Sequence, residues 1–145
     1  MKKDYPETMS LEEIWPYFEA GELVHVSTLD GDQPRVRAMA LTAYNKKLWL
    51  VTRTRDDKVA QIRKNPKVEF TYTVRGETRT GMLRATAKAI IVDDSRIRED
   101  VVNVIPWFTG YWESSKDPNF TLIRLDLERI LFDHHESSKK YTIEL

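Results

Sequence analysis

The chain has 145 residues, 41% hydrophobic and 32% charged, which fits one soluble globular domain with a real core. Its 23 basic and 23 acidic side chains cancel, which argues against a dedicated nucleic-acid binder, whose affinity comes largely from neutralising phosphates. The absence of cysteine excludes disulfides, thiolate metal sites and cysteine nucleophiles.

Residues 1–9 are polar, carry a proline and read as an arm. Ser10-Leu-Glu-Glu13 is a capping box, in which the serine accepts from the Glu13 amide and the glutamate reaches back. A helix over 11–19 follows, with Ile14, Trp15 and Phe18 on one face. Pro16 bends or shortens it, and Gly21 stops it. Residues 23–29 read as a strand with Val24 and Val26 on one face and His25 on the other. Asp30-Gly31-Asp32 is a hairpin turn, and the return strand runs over 35–44. Its odd face carries Arg35, Arg37, Met39 and Leu41; its even face (Val36, Ala38, Ala40, Thr42) is small. Asn45-Lys46-Lys47 leads to a third strand over 48–52.

Thr54-x-x-Asp57 is a second capping box, opening a helix near Asp56 that Asn65-Pro66 ends, since the residue before proline avoids helical angles. Val68, Phe70, Tyr72 and Val74 alternate along a fourth strand, Arg75-Gly76-Glu77 turns the chain, and a long fifth strand covers 79–92. Asp93-Asp94-Ser95 caps a helix reaching about Val104. An aromatic loop, Pro106-Trp107-Phe108-Thr-Gly110-Tyr111-Trp112, precedes a sixth strand over 120–130, and the tail from Tyr141 adds a last short one. Antiparallel strands joined by hairpins, with helices at the connections, point to a closed barrel, which removes exposed edges. No Gly-x-Gly-x-x-Gly is present and strands do not alternate regularly with helices, so a Rossmann sheet is not expected.

Chemistry concentrates at one place. Between Arg53 and Lys67 there are six basic and two acidic residues, a net of +4 in a neutral chain. A solvated helix face would show the same run. These charges, however, surround a helix N-terminus, where open amides and the macrodipole favour an anion. Thr52 supplies a hydroxyl, Lys58 a cation in the first turn, and Arg37 a fork from the neighbouring strand, a set that suits a phosphate monoester.

The order of Arg37-Ala-Met-Ala-Leu41, Leu48-Trp-Leu-Val-Thr52, Lys58-Val-Ala-Gln61 and Asn65-Pro66 resembles the flavin-binding split-barrel family. That family includes pyridoxamine 5'-phosphate oxidase and small general-stress proteins, and the resemblance covers most of residues 20–130. It implies a mainly β fold: a six-stranded antiparallel split β-barrel with flanking short helices, homodimeric; the length makes residues 1–145 a single domain. It implies FMN as cofactor, with Arg37, Thr52 and Lys58 on the phosphate and the backbone of Ala38, Met39 and Ala40 beside the isoalloxazine ring. Val51 takes the bulky place before the threonine, and Gln61 matches a glutamine facing the cofactor in some members.

The chain departs from the family at four places. Asp56 stands where a serine is common, two residues before the lysine, and either caps the helix or pairs with Arg53 or Arg55. Arg55 is the candidate to replace the lost contact. Ala87-Lys88-Ala89 replaces a Gly-x-Ala, and Met82 and Thr42 stand where oxidases carry glutamine and a substrate-facing lysine. The chain also ends at Ile-Glu-Leu145 without the arginine- and histidine-bearing extension of the classical oxidases, so pyridoxamine phosphate oxidase activity is not expected.

The aromatic loop, with Trp107, Phe108, Tyr111 and Trp112, reads as packing under a loop or at a dimer interface, or as a lid over the flavin contributed by the partner subunit, with Trp107 as its cofactor-binding candidate. His134-His135-Glu136 chelates one ion poorly, because strand neighbours point to opposite faces; no metal site is expected. The functional expectation is a small FMN-dependent oxidoreductase taking hydride from a reduced nicotinamide or another small donor, with no catalytic residue identified. The alternative is a non-catalytic flavin, deazaflavin or haem carrier. A structural dimer without cofactor is the third reading. No apolar run nears the roughly 18 residues of a membrane span, and Met1-Lys-Lys-Asp-Tyr-Pro6 lacks a signal-peptide core, so a cytoplasmic location is expected.

Overall fold

The computed structural model describes residues 5–77 and 79–145 and is mainly β. Its first half contains β1 (Glu7–Ser10), α1 (Leu11–Glu19), β2 (Leu23–Asp30), β3 (Gln33–Ala40), β4 (Thr42–Tyr44) and β5 (Lys47–Arg53). Then come α2 (Asp57–Lys64), β6 (Lys67–Arg75), β7 (Thr80–Val92), α3 (Ser95–Val102), a 3₁₀ turn (Phe108–Gly110), β8 (Phe120–His134) and β9 (Lys140–Glu144). Ladders join the strands in the order β1-β9-β8-β7-β6-β2-β3, while β5 pairs with the first half of β8 and β4 with β5. No helix among the described residues is long and apolar enough to cross a membrane.

The fold class matches the expectation, and three details correct it. The described residues form nine strands rather than six, and β1 runs parallel to β9, pairing Glu7 with Tyr141 and Ser10 with Glu144. Part of the expected arm is therefore a strand; residues 1–4 lie outside the described residues. A four-residue strand is too short to show alternation, and it forms because β9 offers an unpaired edge.

The second correction concerns closure: among the described residues no ladder joins β3 to β5, so the sheet stays open there. The cause lies at Leu41, which breaks the expected 35–44 strand into β3 and β4. Its side chain is buried and its amide makes the last bond in register with β2, to the Glu22 carbonyl at 3.4 Å; from Thr42 on the chain pairs with β5 instead. Asn45 and Lys46, both at positive φ (53° and 57°), then turn β4 back onto β5 in the left-handed geometry a tight hairpin needs.

The third correction is on the last long strand, which extends to His134. A bulge opposite Thr86 and Ala87 reverses its inward phase, so Ile123 and Leu125 face the core before it and Ile130 and Phe132 after it.

Two hydrophobic cores result. The main one is plugged by α1, whose capping box forms as expected, with the Glu13 amide donating to Ser10 Oγ at 3.3 Å and the Ser10 amide to Glu13 at 3.0 Å. The helix runs its full nine residues through Pro16. Packing holds it more than capping does: Phe18 is fully buried, edge-on to Phe70 and Tyr72 at 6.4 and 5.7 Å. Such a side chain contributes about 1.5–3 kcal/mol, against about 1 for a cap.

The second core holds Trp49, Val101, Ile105, Phe108, Trp112, Phe120 and Leu122 under α3 and the aromatic loop. Phe120 to Ile123 are buried in succession because β8 is covered on both faces here. Arg98 fastens the loop: it lies 4.4 Å over the Phe120 ring and donates to the carbonyls of Ser115 and Phe120 at 2.8 and 3.1 Å. Asp94 caps α3, accepting from Arg96 and Ile97 amides at 3.0 Å each, and the helix ends at Val102 rather than Val104.

Candidate functional site

The gap between β3 and β5 is a cleft of about 270 Å³. Ala38, Met39 and Ala40 form one wall and Val51, Thr52 and Arg53 the other. Asp56 and Lys58, from the start of α2, line it together with Trp107, Tyr111 and Trp112 of the aromatic loop. The facing edges of β3 and β5 are unpaired and leave open space between backbones, which a closed ladder would not. A second cavity of about 280 Å³ is walled by Tyr5, Glu69, Arg84 and Arg129 across three laddered strands, with no such gap.

The polar side of the cleft is a closed ring of three side chains. Lys58 Nζ donates to Thr52 Oγ1 at 2.8 Å and to Asp56 Oδ2 at 3.1 Å, and the Thr52 hydroxyl donates to the same carboxylate oxygen at 2.8 Å. Thr52 is buried and the Lys58 side chain is only 14% exposed. Partial burial pushes the Asp56 carboxyl up, but hydrogen bonds from Thr52 and Lys58 and the lysine charge outweigh it, holding its pKa below the usual carboxylate range.

The start of α2 differs from the sequence reading. Its N-cap is Asp56, and the Thr54–Asp57 capping box does not form, because the Thr54 hydroxyl donates to the Pro118 carbonyl at 2.8 Å. Asp56 has cap backbone angles (φ −66°, ψ 142°), yet its side chain makes no cap bond. Nor does it pair with Arg53 or Arg55; its ion-pair partner is Lys58.

Of the sequence candidates, Ala38, Met39, Ala40, Val51, Thr52, Lys58 and Trp107 meet in the cleft. Arg37, Arg55 and Gln61 do not line it. Arg37 donates to Thr28 Oγ1 at 2.8 Å, to the Val26 and Arg35 carbonyls at 3.3 and 3.4 Å, and to Gln61 Oε1 at 3.3 Å. Burial lowers its pKa, with the Asp57 charge opposing. Arg55 is exposed. Arg53, Asp56, Tyr111 and Trp112 also line the cleft: the sequence marked Asp56 only as a departure and the two aromatics only as members of the loop, with no separate signal for Arg53.

The aromatic loop divides by depth. Phe108 and Trp112 are buried and stacked at 5.0 Å, which is the packing role. Trp107 and Tyr111 are 41% and 63% exposed, edge-on at 5.8 Å, and border the cleft of their own chain. His25 points outward on the exposed side of β2 and does not line the cleft.

The donor set fits the phosphate end of a flavin in one respect that the structure displays: Thr52 and Lys58 already hold an oxyanion, the carboxylate of Asp56.

A family model described as pyridoxamine 5'-phosphate oxidase matches residues 11–133. No curated protein matches the sequence. Among solved structures, a NimC/NimA family protein from Clostridium acetobutylicum is similar at 20% identity and a TM-score of 0.78, covering 94% of this chain and 92% of that one. A protein related to general stress protein 26, from the same organism, is similar at 22% identity and TM-score 0.75, with 93% and 94% covered. A FAD-binding protein from Mesorhizobium loti is similar at 17% identity and TM-score 0.70, with 86% and 94% covered. The family model spans most of the chain, and the chain belongs to the pyridoxamine 5'-phosphate oxidase family.

Proposed function

We propose that the protein binds FMN in the cleft between β3 and β5 and works as a small flavin-dependent oxidoreductase. The observation that carries this reading is the pairing of an open cleft of about 270 Å³ between β3 and β5 with a buried hydroxyl and a lysine that together hold an oxyanion. The backbone of Ala38–Ala40 and the side of Val51 would flank the ring, and Lys58 and Thr52 would take the phosphate. Trp107 and Tyr111 would limit access of water. When bound, the flavin supplies the redox chemistry; the chain supplies grip, orientation and selective access. A neighbouring cavity of about 300 Å³ shares Ala40 and Trp107 with the cleft and gives room for a small donor such as a reduced nicotinamide. One fold neighbour is named as a putative 5-nitroimidazole antibiotic resistance protein, so nitroimidazoles belong among the acceptors screened. A homodimer is part of the reading: Leu23 and Val36, 62% and 70% exposed on β2 and β3, form an apolar face beside His25 and Ala38.

The test is a titration of the apoprotein with FMN, followed by flavin fluorescence, with riboflavin and haem as controls. Saturable flavin binding with quenching beside Trp107 and Trp112 is the expected result. Absence of any flavin binding would overturn the reading. The second reading is a flavin, deazaflavin or haem carrier without turnover. It is favoured by the bonding of Asp56 and Lys58 to each other, which occupies the acid and amine facing the cleft. Nicotinamide-dependent reduction of the bound flavin separates the two.

A further inference from the structure

We propose that Asp56 is a built-in anion in the phosphate seat of the cleft, and that it sets which flavin the site accepts because a phosphate-bearing cofactor must displace it. The inference rests on the flavin reading of the cleft and goes beyond it to selectivity between flavins.

The geometry is that of an anion site already filled. One oxygen of Asp56 accepts from both the Thr52 hydroxyl at 2.8 Å and Lys58 Nζ at 3.1 Å. Lys58 closes the ring by donating to Thr52. A phosphate bound to the same two groups would either share them with a carboxylate, as two like charges in contact, or take its place. Riboflavin carries no charge at that end and meets neither difficulty. The site as it stands therefore narrows the usual advantage of FMN over riboflavin.

Asp56 also has a second position open to it. It is the N-cap of α2 with extended backbone angles, and its side chain leaves the first amides of that helix without a side-chain cap. Aspartate is among the strongest capping residues, so a carboxylate displaced from Lys58 has amide donors within its own reach. Asp56 is thus a specificity-determining residue with two alternative sets of partners: the seat when the cleft holds no phosphate, the helix cap when it does.

The test compares FMN and riboflavin affinities of the wild-type protein with those of Asp56→Asn and Asp56→Ser. Both substitutions remove the charge, and serine keeps a hydroxyl beside Lys58. If one variant fails to fold, the other carries the comparison, and an unchanged riboflavin affinity reports an intact cleft. The expected result is FMN affinity raised about ten-fold or more, the effect of a gained charge-assisted contact, with riboflavin affinity unchanged. FMN affinity that stays the same or falls while wild type binds FMN would overturn the role of Asp56 and leave the flavin site standing. Parallel gains for both flavins would also overturn it, since they would not act through phosphate. Failure of every protein to bind either flavin would remove the cleft reading itself, and this inference with it.

Discussion

Two polar clusters sit one helical turn apart on α2 and use the same parts. In each, a cation touches a buried threonine and a third side chain: Lys58 with Thr52 and Asp56 in the cleft, Arg37 with Thr28 and Gln61 beside it. They differ in what anchors the cation. Arg37 also donates to two backbone carbonyls, which cannot move without the strands, whereas Lys58 bonds only side chains in the contacts found. The third partners differ as well, a neutral amide against a carboxylate. On the proposed reading, a cation beside a hydroxyl serves as a ligand site where its other partners can be displaced, and as a strut where they are backbone.

This contrast is broken or sharpened by substitution at each cluster. Arg37→Ala is expected to cost about 1.5–3 kcal/mol of unfolding free energy, measured by urea denaturation, because it strips charge-assisted bonds from Thr28 and Gln61. If it instead weakens FMN binding as much as a cleft substitution does, at unchanged stability, the guanidinium reaches the cofactor and the contrast fails. Lys58→Ala is expected to lower FMN affinity about ten- to a hundred-fold by titration, with less than about 1 kcal/mol change in stability.

Acid titration distinguishes the clusters without mutation. Because the Asp56 pKa is depressed in the folded protein, its pairing with Lys58 contributes stability above the ordinary carboxylate value of about 4 and loses it as pH falls below that. The pair is partly exposed, so the contribution is at most about 1 kcal/mol, and Asp56→Asn is expected to remove that part of the acid limb. An acid limb that is identical in the variant would mean that the ring of bonds contributes nothing in solution. The smallest effect is expected for Arg63→Ala, on the exposed last turn of α2, within about 0.5 kcal/mol in stability and with FMN affinity unchanged. Equal losses of FMN affinity at Arg37, Lys58 and Arg63 would show a diffuse basic face in place of a site.

Much of the local structure was legible in the residues themselves. The Ser10–Glu13 box, the alternation of Val68 to Val74 and the Asn65-Pro66 stop act over a few residues, where side chain and backbone decide together. The Thr54–Asp57 box failed for the opposite reason: Thr54 meets Pro118 and Thr121, far along the chain, donating to the Pro118 carbonyl and accepting from the Thr121 hydroxyl. The break at Leu41, the bulge in β8 and the strand at Glu7–Ser10 likewise depend on partners that periodicity does not reveal.

The sequence by itself determined most of the strands, the helix between Asp56 and Asn65-Pro66 and the set of small, hydroxyl and basic residues that marks this family, because spacing and side-chain chemistry are local properties. Only the tertiary structure decided that β3 and β5 stay unpaired, that Arg37 faces Thr28 and Gln61, and that Asp56 fills the seat beside Lys58. Those outcomes rest on which donors and acceptors the fold brings within hydrogen-bond reach of one another, and that is settled by the competition for partners across the whole chain.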